Sequence, residues 1–252
     1  MLLLIDVGNT TTVVGLWDGD GVVHRWRIST DRERTADESR LLLRSMLAEY
    51  PGNVTGGCLS SVVPPRTEAW REAMDVLING DLVVVGPGTK TGISLKVDNP
   101  REVGADRVAN AIGAVRLFGP PVIVVDFGTA TTVDLVAGVG SYRGGAIAPG
   151  LEVSADALVT HASALRQVEL IPPRSAVGRS TVEAIQSGLI FGYAGLVDGL
   201  VTRIRATIED DCPAVATGGL AAIVVAHTQS IASIEPDLTL VGLAEIFARN
   251  LS

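Results

Sequence analysis

Aromatic residues are scarce in this sequence: phenylalanine, tyrosine and tryptophan together make up 4% of its 252 residues. Hydrophobic residues nevertheless reach 47%, which is enough to build a buried core. We therefore expect the core to consist of valine, leucine, isoleucine and alanine. A chain of this length forms either one large domain or two of ordinary size.

Clusters of basic residues are absent, and the formal net charge is −8. Nucleic-acid binding and binding to an anionic membrane surface both require clustered lysine and arginine, so the sequence favours neither partner. A protein this acidic can bind an anionic substrate only through local devices, such as backbone N–H groups, metal ions and a few well-placed cations.

Cysteine and histidine are also rare. Cys58 and Cys212 lie far apart and form neither a metal-binding spacing nor a disulfide framework, so we expect structural thiols in a reducing cytoplasm. The histidines are scattered along the chain, which argues against a zinc site and against a histidine-based catalytic triad.

Long apolar runs are missing as well. The N-terminal run ends at Asp6 and has no basic flank, so it predicts a buried strand and not a signal peptide. No stretch approaches the roughly 18 uninterrupted apolar residues of a membrane span. The sequence therefore predicts a cytoplasmic protein without a membrane partner.

The most informative pattern is a repeated turn, Asp6-Val7-Gly8-Asn9-Thr10-Thr11-Thr12 and Asp126-Phe127-Gly128-Thr129-Ala130-Thr131-Thr132. Each copy follows an apolar strand and precedes a second one. The offset of 120 residues (126 minus 6) is too long for a solenoid and instead indicates two similar α/β halves. We place the boundary near Gly119-Pro120-Pro121, giving halves of 1–118 and 119–252.

The chemistry of this turn suits phosphate. Glycine at the strand end lets the backbone approach a phosphate closely, the threonine hydroxyls and N–H groups can donate to it, and the aspartate can hold a cation beside it. A single copy is more simply explained as a hairpin turn. Two copies in the same strand context favour a phosphate-binding role, and hence an ATP-dependent kinase of small molecules.

Two further segments are candidates. Gly218-Gly219 follows an apolar strand, where paired glycines let an adenine ring lie close to the backbone, although a plain strand-to-helix turn is the simpler interpretation. Asp106-Arg107 stands at a predicted helix start. Asp106 is either a helix cap or the acceptor of a proton from a substrate hydroxyl, as phosphoryl transfer requires. The P-loop motif Gly-x-x-x-x-Gly-Lys-Ser/Thr is absent.

Taken together, these segments resemble the type III pantothenate kinases of the acetate/sugar kinase–Hsp70–actin superfamily. The resemblance rests on seven ordered blocks along nearly the whole chain: residues 5–10, 98–107, 126–132, 144–150, 178–181, 217–219 and 238–243. It implies two ribonuclease H-like (actin-like ATPase) halves, each a mixed sheet flanked by helices.

The resemblance also implies roles for individual residues. ATP would be bound by Asp6, Val7, Gly8, Asn9, Thr10, Thr11, Thr12 and Val13, together with Thr129, Gly218 and Gly219. Pantothenate would contact Gly104, Ala105, Asp106, Arg107 and Thr181, with Asp106 as the catalytic proton acceptor. Asp126 would hold a monovalent cation, K⁺ or NH₄⁺, and Mg²⁺ would accompany ATP near Asp6. Family members are homodimers with the substrate pocket at the subunit contact, and the same is expected here.

Some positions depart from the family pattern. Val97 stands where an aromatic residue commonly precedes Asp98-Asn99-Pro100, and Thr11 replaces a usual asparagine. Two alternative functions follow from the sequence: a kinase of another small hydroxy acid, and a non-catalytic ligand-sensing member of the family. Retention of Asp6, Asp106 and Asp126 argues against the second.

Overall fold

A computed structural model describes residues 1–50, 52–161 and 165–251. The chain divides into two compact units, the first formed by the described residues of 1–117 and 237–251, and the second by those of 118–236. The sequence had assigned the C-terminal segment to the second half. It instead belongs to the first unit, because its helix supplies much of one apolar core there.

Eleven strands are found among the described residues. They are β1 Leu2–Val7, β2 Thr11–Trp17, β3 Val22–Ser29, β4 Gly56–Ser61, β5 Asp81–Val84, β6 Ser94–Leu95, β7 Val122–Phe127, β8 Ala130–Ala137, β9 Ser141–Pro149, β10 Ala214–Thr217 and β11 Ile231–Ile234. The sequence predicts strands over 2–5, 12–17, 22–28, 58–63, 82–85, 122–125, 132–137 and 214–217, each within a few residues of an observed strand, but it does not predict β6 or β11.

The same stretches contain seven α-helices. They are α1 Ala36–Leu47, α2 Pro64–Asp75, α3 Ala105–Phe118, α4 Leu151–His161, α5 Thr181–Arg205, α6 Ala221–Val225 and α7 Leu238–Asn250. The sequence predicts a helix over 153–164, and residues 162–164 of that prediction lie outside the described residues. The sequence also predicts a helix over 181–209, which in the structure ends at Arg205.

The two units share one strand order, which agrees with the prediction of two similar α/β halves. In the first unit the order is β3-β2-β1-β4-β5, and in the second it is β9-β8-β7-β10-β11. In each, three antiparallel strands are followed by two parallel ones. The strand that ends in the aspartate turn is central in both orders.

Alternating side chains give the first sheet two apolar faces. One face, with Leu3, Ile5 and Val7, packs against α1 and α2. The other, with Leu4 and Cys58, packs against α3 and α7. Helix α1 begins at Thr35, whose hydroxyl accepts from the Glu38 N–H while the Glu38 carboxylate accepts from the Thr35 N–H. The sequence predicts this helix over 32–50 with Thr35 or Asp37 near its start, and the capping box identifies Thr35 as that position.

Helix α5 needs separate comment. By length and composition it could cross a bilayer, and 44% of its apolar window is buried in this fold. Its buried residues, including Ile190, Val197 and Val201, pack against β7, β8 and β10 in the core of the second unit. We therefore interpret α5 as a core helix.

Candidate active site

The first aspartate turn connects β1 to β2. The Gly8 N–H donates to the Thr11 carbonyl at 3.0 Å, and a Cβ at Gly8 would lie 2.8 Å from that oxygen. Only glycine therefore allows the turn to close this tightly. Asn9 and Thr10 at its tip are exposed, so the tip of the turn is accessible to a ligand.

Thr30 stabilises this turn through hydrogen bonds, a role that the sequence did not predict. Its hydroxyl donates to the Gly8 carbonyl at 2.8 Å and lies 2.9 Å from the Thr12 hydroxyl. Its N–H donates to the Thr10 carbonyl at 2.8 Å. Thr30 follows β3, outside the turn motif, so only the antiparallel pairing of β2 with β3 brings it here.

Strand pairing decides which side chains of the first turn lie beside Asp6. Asp6 pairs with Val13, whereas Val7 pairs with Thr12. Val7 and Thr12 are fully buried on the face covered by α1 and α2. Val13 packs on the opposite face, in the cluster formed with α3 and α7. Val7, Thr12 and Val13 thus have structural positions, and any contribution to nucleotide binding would come from their backbone.

The second turn has a different register. Asp126 pairs with Thr132, and Phe127 pairs with Thr131. Thr131 is therefore the structural counterpart of Thr12, and Thr132 that of Val13, although the motif aligns Thr12 with Thr132. The first turn contains one more residue than the second, and a one-residue shift exchanges the faces of a strand. The sequence repeat is real, but its threonines are not equivalent.

The paired glycines lie against this second turn. Thr217 pairs with Asp126 in parallel register, and Gly218 has a φ of 94°. A Cβ at Gly218 would lie 2.6 Å from both Asp126 Oδ1 and the Phe127 carbonyl oxygen. The Gly218-Gly219 segment, Asp126 and Thr132 therefore form one group within the second unit, while Thr129 is exposed at the tip of the turn.

A buried carboxylate that the sequence analysis did not single out lies on the same sheet face. Asp134 follows Thr132 by two residues on β8, is 2% exposed, and accepts a hydrogen bond from the Tyr142 hydroxyl at 2.8 Å. An aspartate between Val133 and Leu135, within the apolar second half of β8, is the signal that could have identified it.

The proposed substrate segment leads into α3. Gly104 caps the helix through its carbonyl, which accepts from the Val108 N–H at 3.1 Å. Asp106 lies inside the first turn, and its Oδ1 accepts from the Arg107 N–H at 2.7 Å. A Cβ at Gly104 would clash with the Asp106 carboxylate, so the absence of a side chain at this position allows the carboxylate to lie where it does. Asp106 and Arg107 are both half-buried.

The first unit brings Asp6 and Asp106 to the same side of its sheet. Asp6 shares a strand face with Leu4, and that face packs against α3. Gly104 lies beside Val62, which directly follows β4. The amino end of α3 is thus close to the carboxyl ends of the parallel strands β1 and β4, where ligands bind in open α/β sheets.

Thr181 is the first residue of α5 and is exposed. Ser180 caps the helix, its hydroxyl accepting from the Glu183 N–H at 3.2 Å. A cavity of about 590 Å³ opens beside Thr181 in the second unit. Its walls are mainly apolar residues of α4 and α5, with the Ser154 and Tyr193 hydroxyls 2.7 Å apart.

Within the described residues, no group of three or more histidine, cysteine, aspartate or glutamate side chains is placed to hold a metal ion. Any cation would therefore depend on single carboxylates completed by hydroxyls, backbone carbonyls, water or substrate oxygens. Mg²⁺ in nucleotide sites is commonly bound this way, through one or two carboxylates and the phosphates.

Comparison with solved structures confirms the predicted fold class. The (R)-2-hydroxyglutaryl-CoA dehydratase component A from Acidaminococcus fermentans matches with a TM-score of 0.57 at 15% identity, covering 98% of this chain and 95% of its own. The ROK hexokinase from Thermus thermophilus matches with a TM-score of 0.50 at 15% identity, covering 97% of each chain. These likenesses concern the fold alone, which is that of actin-like ATPases and sugar kinases.

Sequence relatives are far closer. The type III pantothenate kinase of Frankia casuarinae is 51% identical over 253 residues, covering 100% of both chains. That of Streptomyces coelicolor is 47% identical, covering 100% of this chain and 99% of its own. The family model described as type III pantothenate kinase matches residues 2–203. The chain belongs to the type III pantothenate kinase family.

Proposed function

We propose that this protein transfers the γ-phosphate of ATP to the primary hydroxyl of pantothenate, forming 4'-phosphopantothenate in the first step of coenzyme A biosynthesis. Membership of the family supports the activity. The observation that carries the assignment to this chain's own residues is the half-buried Asp106 carboxylate in the first turn of α3. A reaction of this kind is expected to take place in the cytoplasm.

Asp106 is proposed as the proton acceptor. The pantothenate hydroxyl oxygen attacks the γ-phosphorus, its proton passes to the Asp106 carboxylate, and the bond to the bridging oxygen breaks to release ADP. Arg107 supplies a positive charge for an anionic group of the substrate or for charge developing on the phosphate. Most of the rate enhancement comes from positioning and charge neutralisation.

The two aspartate turns are proposed to bind the nucleotide. In the first, the exposed tip at Asn9 and Thr10 suits phosphate oxygens, and Gly8 allows the turn to close beneath it. In the second, Thr129 is exposed in a similar way, and Gly218-Gly219 offers a flat backbone surface for adenosine. The fully buried Val7 and Thr12 and the partly buried Val13 keep the first turn in shape.

Two cations are proposed. Asp6 fits Mg²⁺, because it is a carboxylate at a strand end beside an accessible phosphate turn, and the metal would neutralise phosphate charge during transfer. Asp126 fits K⁺ or NH₄⁺, because oxygens of Thr132 and Thr217 share its row of the sheet. Oxygen ligands of this kind suit hard cations.

The proposed assay measures ATP consumption with pantothenate, with and without potassium. Turnover on pantothenate that exceeds turnover on sugars and acetate supports the proposal, and the opposite preference favours a kinase of another hydroxylated substrate. Nucleotide binding without turnover on any of them favours the ligand-sensing alternative.

Asp106→Asn is expected to keep ATP affinity and to lose turnover by about 10²–10⁴-fold, because the amide cannot accept the proton. Asp75→Asn is a matched control, since Asp75 is an exposed aspartate at the end of α2. Steady-state rates and nucleotide binding are measured on both. Near-normal turnover of Asp106→Asn would contradict the assignment.

A further inference from the structure

The carboxyl end of β4 contains a serine that the mechanism above does not use. Ser60 is 0% exposed, and its hydroxyl has no hydrogen-bond partner within the described residues. Buried polar groups are almost always paired, because leaving one unpaired costs the full desolvation of that group. The hydroxyl of Ser60 therefore requires an explanation.

The next residue shows how a structural serine behaves in this place. The Ser61 hydroxyl donates to the Val63 carbonyl and accepts from the Val63 N–H, both at 3.2 Å. Its hydrogen-bonding capacity is used locally to shape the chain after β4. Because successive side chains of a strand point to opposite faces, Ser60 lies on the other side of the sheet.

Strand pairing determines what lies next to Ser60. β1 and β4 are parallel, and Asp6 pairs with Ser60. Paired residues on adjacent strands share a face, and neighbouring strands are about 4.8 Å apart. Two residues earlier on the same face are Leu4 and Cys58, which belong to the cluster formed with α3 and α7. Ser60 therefore lies beside Asp6 on the side where α3 carries Asp106.

We propose that Ser60 is a positioning residue for the divalent cation that accompanies the nucleotide, with its hydroxyl binding a water of that cation's hydration shell beside Asp6. A serine hydroxyl is both donor and acceptor, so it can accept from a metal-bound water. Mg²⁺ usually keeps several waters and is held by one or two carboxylates, so the protein needs groups that bind those waters. The inference rests on the proposed function through Asp6 but not on the identity of the phosphate acceptor.

Mn²⁺ binding tests the inference without relying on catalysis. Electron paramagnetic resonance measures unbound Mn²⁺ in titrations of the full-length protein with ADP, for the wild type, Ser60→Ala and the control Ser61→Ala. We expect the Mn²⁺ affinity of the nucleotide complex to fall about tenfold in Ser60→Ala and to stay unchanged in Ser61→Ala. Unchanged affinity in Ser60→Ala, or an equal loss in both variants, would overturn the proposal.

Thermal unfolding separates this role from a structural one. Without ligands, Ser60→Ala should melt at or above the wild-type temperature, since it removes an unpaired buried hydroxyl. Addition of Mg²⁺ and ADP should raise its melting temperature by less than it raises that of the wild type. Ser60→Cys, which replaces the hydroxyl with a slightly larger thiol that hydrogen-bonds only weakly, should show the same reduced increase in melting temperature. A normal gain in both Ser60 variants would contradict the inference.

The two proposals can fail separately. If the wild type binds Mn²⁺ and ADP through Ser60 but does not phosphorylate pantothenate, the substrate assignment fails and the role of Ser60 stands. If the wild type phosphorylates pantothenate and the Ser60 variants bind Mn²⁺ normally, only the role of Ser60 fails.

Discussion

Thr12 and Thr132 occupy the same place in the two aspartate turns, yet the strand register puts them on opposite faces relative to the aspartate. Thr12 lies on the face covered by α1 and α2, and its hydroxyl is within hydrogen-bond distance of the Thr30 hydroxyl. Thr132 faces the side of Asp126. At the scale of single residues, a motif therefore identifies the turn but not which of its side chains can reach a ligand.

Gly218 offers a test at this scale. Gly218→Ala is expected to destabilise the protein through its positive φ, costing roughly 1–2 kcal/mol, and through overlap with Asp126 and Phe127, costing about 1–3 kcal/mol more. Gly88 has the same φ of 94° but nothing within 4 Å of an added Cβ. Gly88→Ala should therefore show the backbone cost alone.

Chemical denaturation and potassium activation are measured on both glycine variants. A loss of potassium activation in Gly218→Ala alone supports a cation site at Asp126. Equal stability losses in the two variants would mean that the overlap at Gly218 relaxes without cost.

Cys58 predicts a pH dependence of stability. Burial raises the pKa of its thiol from 9.0 to about 12. The folded protein thus favours the neutral thiol. The contribution of this preference to the free energy of unfolding is fully present below pH 9 and is lost as the pH rises toward 12. Between those values the free energy of unfolding should fall by about 1.4 kcal/mol per pH unit through this group.

Urea unfolding of the wild type and Cys58→Ala at pH 8 and pH 10.5 measures this effect. The variant should lack that part of the decline. Parallel declines in the two proteins would show that Cys58 is not responsible.

At the scale of elements, the crossing of α3 and α7 positions the proposed substrate segment at the start of α3. A Cβ at Gly113 of α3 would clash with the Leu238 carbonyl, and a Cβ at Gly242 of α7 would clash with the Ala109 carbonyl. The two helix backbones are therefore in direct contact at two glycines. Nearby, the Thr239 hydroxyl donates to Asn110 Oδ1 at 2.6 Å, so a buried polar contact joins the same helices.

Gly242→Ala is expected to separate these helices and to cost roughly 3 kcal/mol or more, because carbonyl groups cannot move aside as flexible side chains do. Turnover should fall as well, since Asp106 begins the displaced helix. Gly195→Ala on α5 is the control: an added Cβ there meets nothing within 4 Å, so better helix propensity should stabilise by up to about 1 kcal/mol. Melting temperatures and turnover are measured on both variants. A Gly242→Ala variant with unchanged melting temperature and turnover would contradict the close crossing of α3 and α7.

Element prediction succeeded where local signals were strong. The helix start near Thr35 or Asp37, the apolar run of β7 and the glycine turn after β10 were all predicted from neighbouring residues. β11 was missed because its sequence, Ile-Ala-Ser-Ile, is neither a continuous apolar run nor an alternation of apolar and polar residues. The position of Thr30 and the pairing of Asp6 with Ser60 depend on strands distant in sequence, so no local pattern contains them.

At the scale of the whole molecule, one strand order occurs twice. A helix comes after the last strand of each order along the chain: α3 after β5, and α7 after β11. The C-terminal helix nevertheless joins the first unit. The unit boundary is therefore not a single point in the sequence. A division at 118/119 would separate α7 from the core that it completes with α3 and β4.

The expected homodimer is also tested at this scale. The second unit exposes apolar side chains on β9, α4 and α5, among them Ile147, Val153, Leu158 and Val182. Light scattering should give a mass of twice 26.2 kDa for the wild type. Leu158→Glu should shift the mass toward 26.2 kDa and weaken pantothenate binding.

Val139→Glu is the control for this experiment, because Val139 is fully exposed in the turn between β8 and β9. It should leave the dimer intact. A monomeric wild type at assay concentrations would contradict the expected homodimer. A dimer unaffected by Leu158→Glu would contradict a dimer contact through the exposed apolar side chains of β9, α4 and α5.

The sequence by itself determined the α/β class, the two similar halves, the family and the aspartate turns, because each depends on local periodicity or on a contiguous motif. The tertiary structure decided which faces the turn side chains occupy, that Thr30 braces the first turn, that Ser60 lies beside Asp6, and that α7 belongs to the first unit. These features arise from strand register and helix packing between segments far apart in the chain. A shift of one residue reverses every face, and such a shift is invisible until the strands are paired.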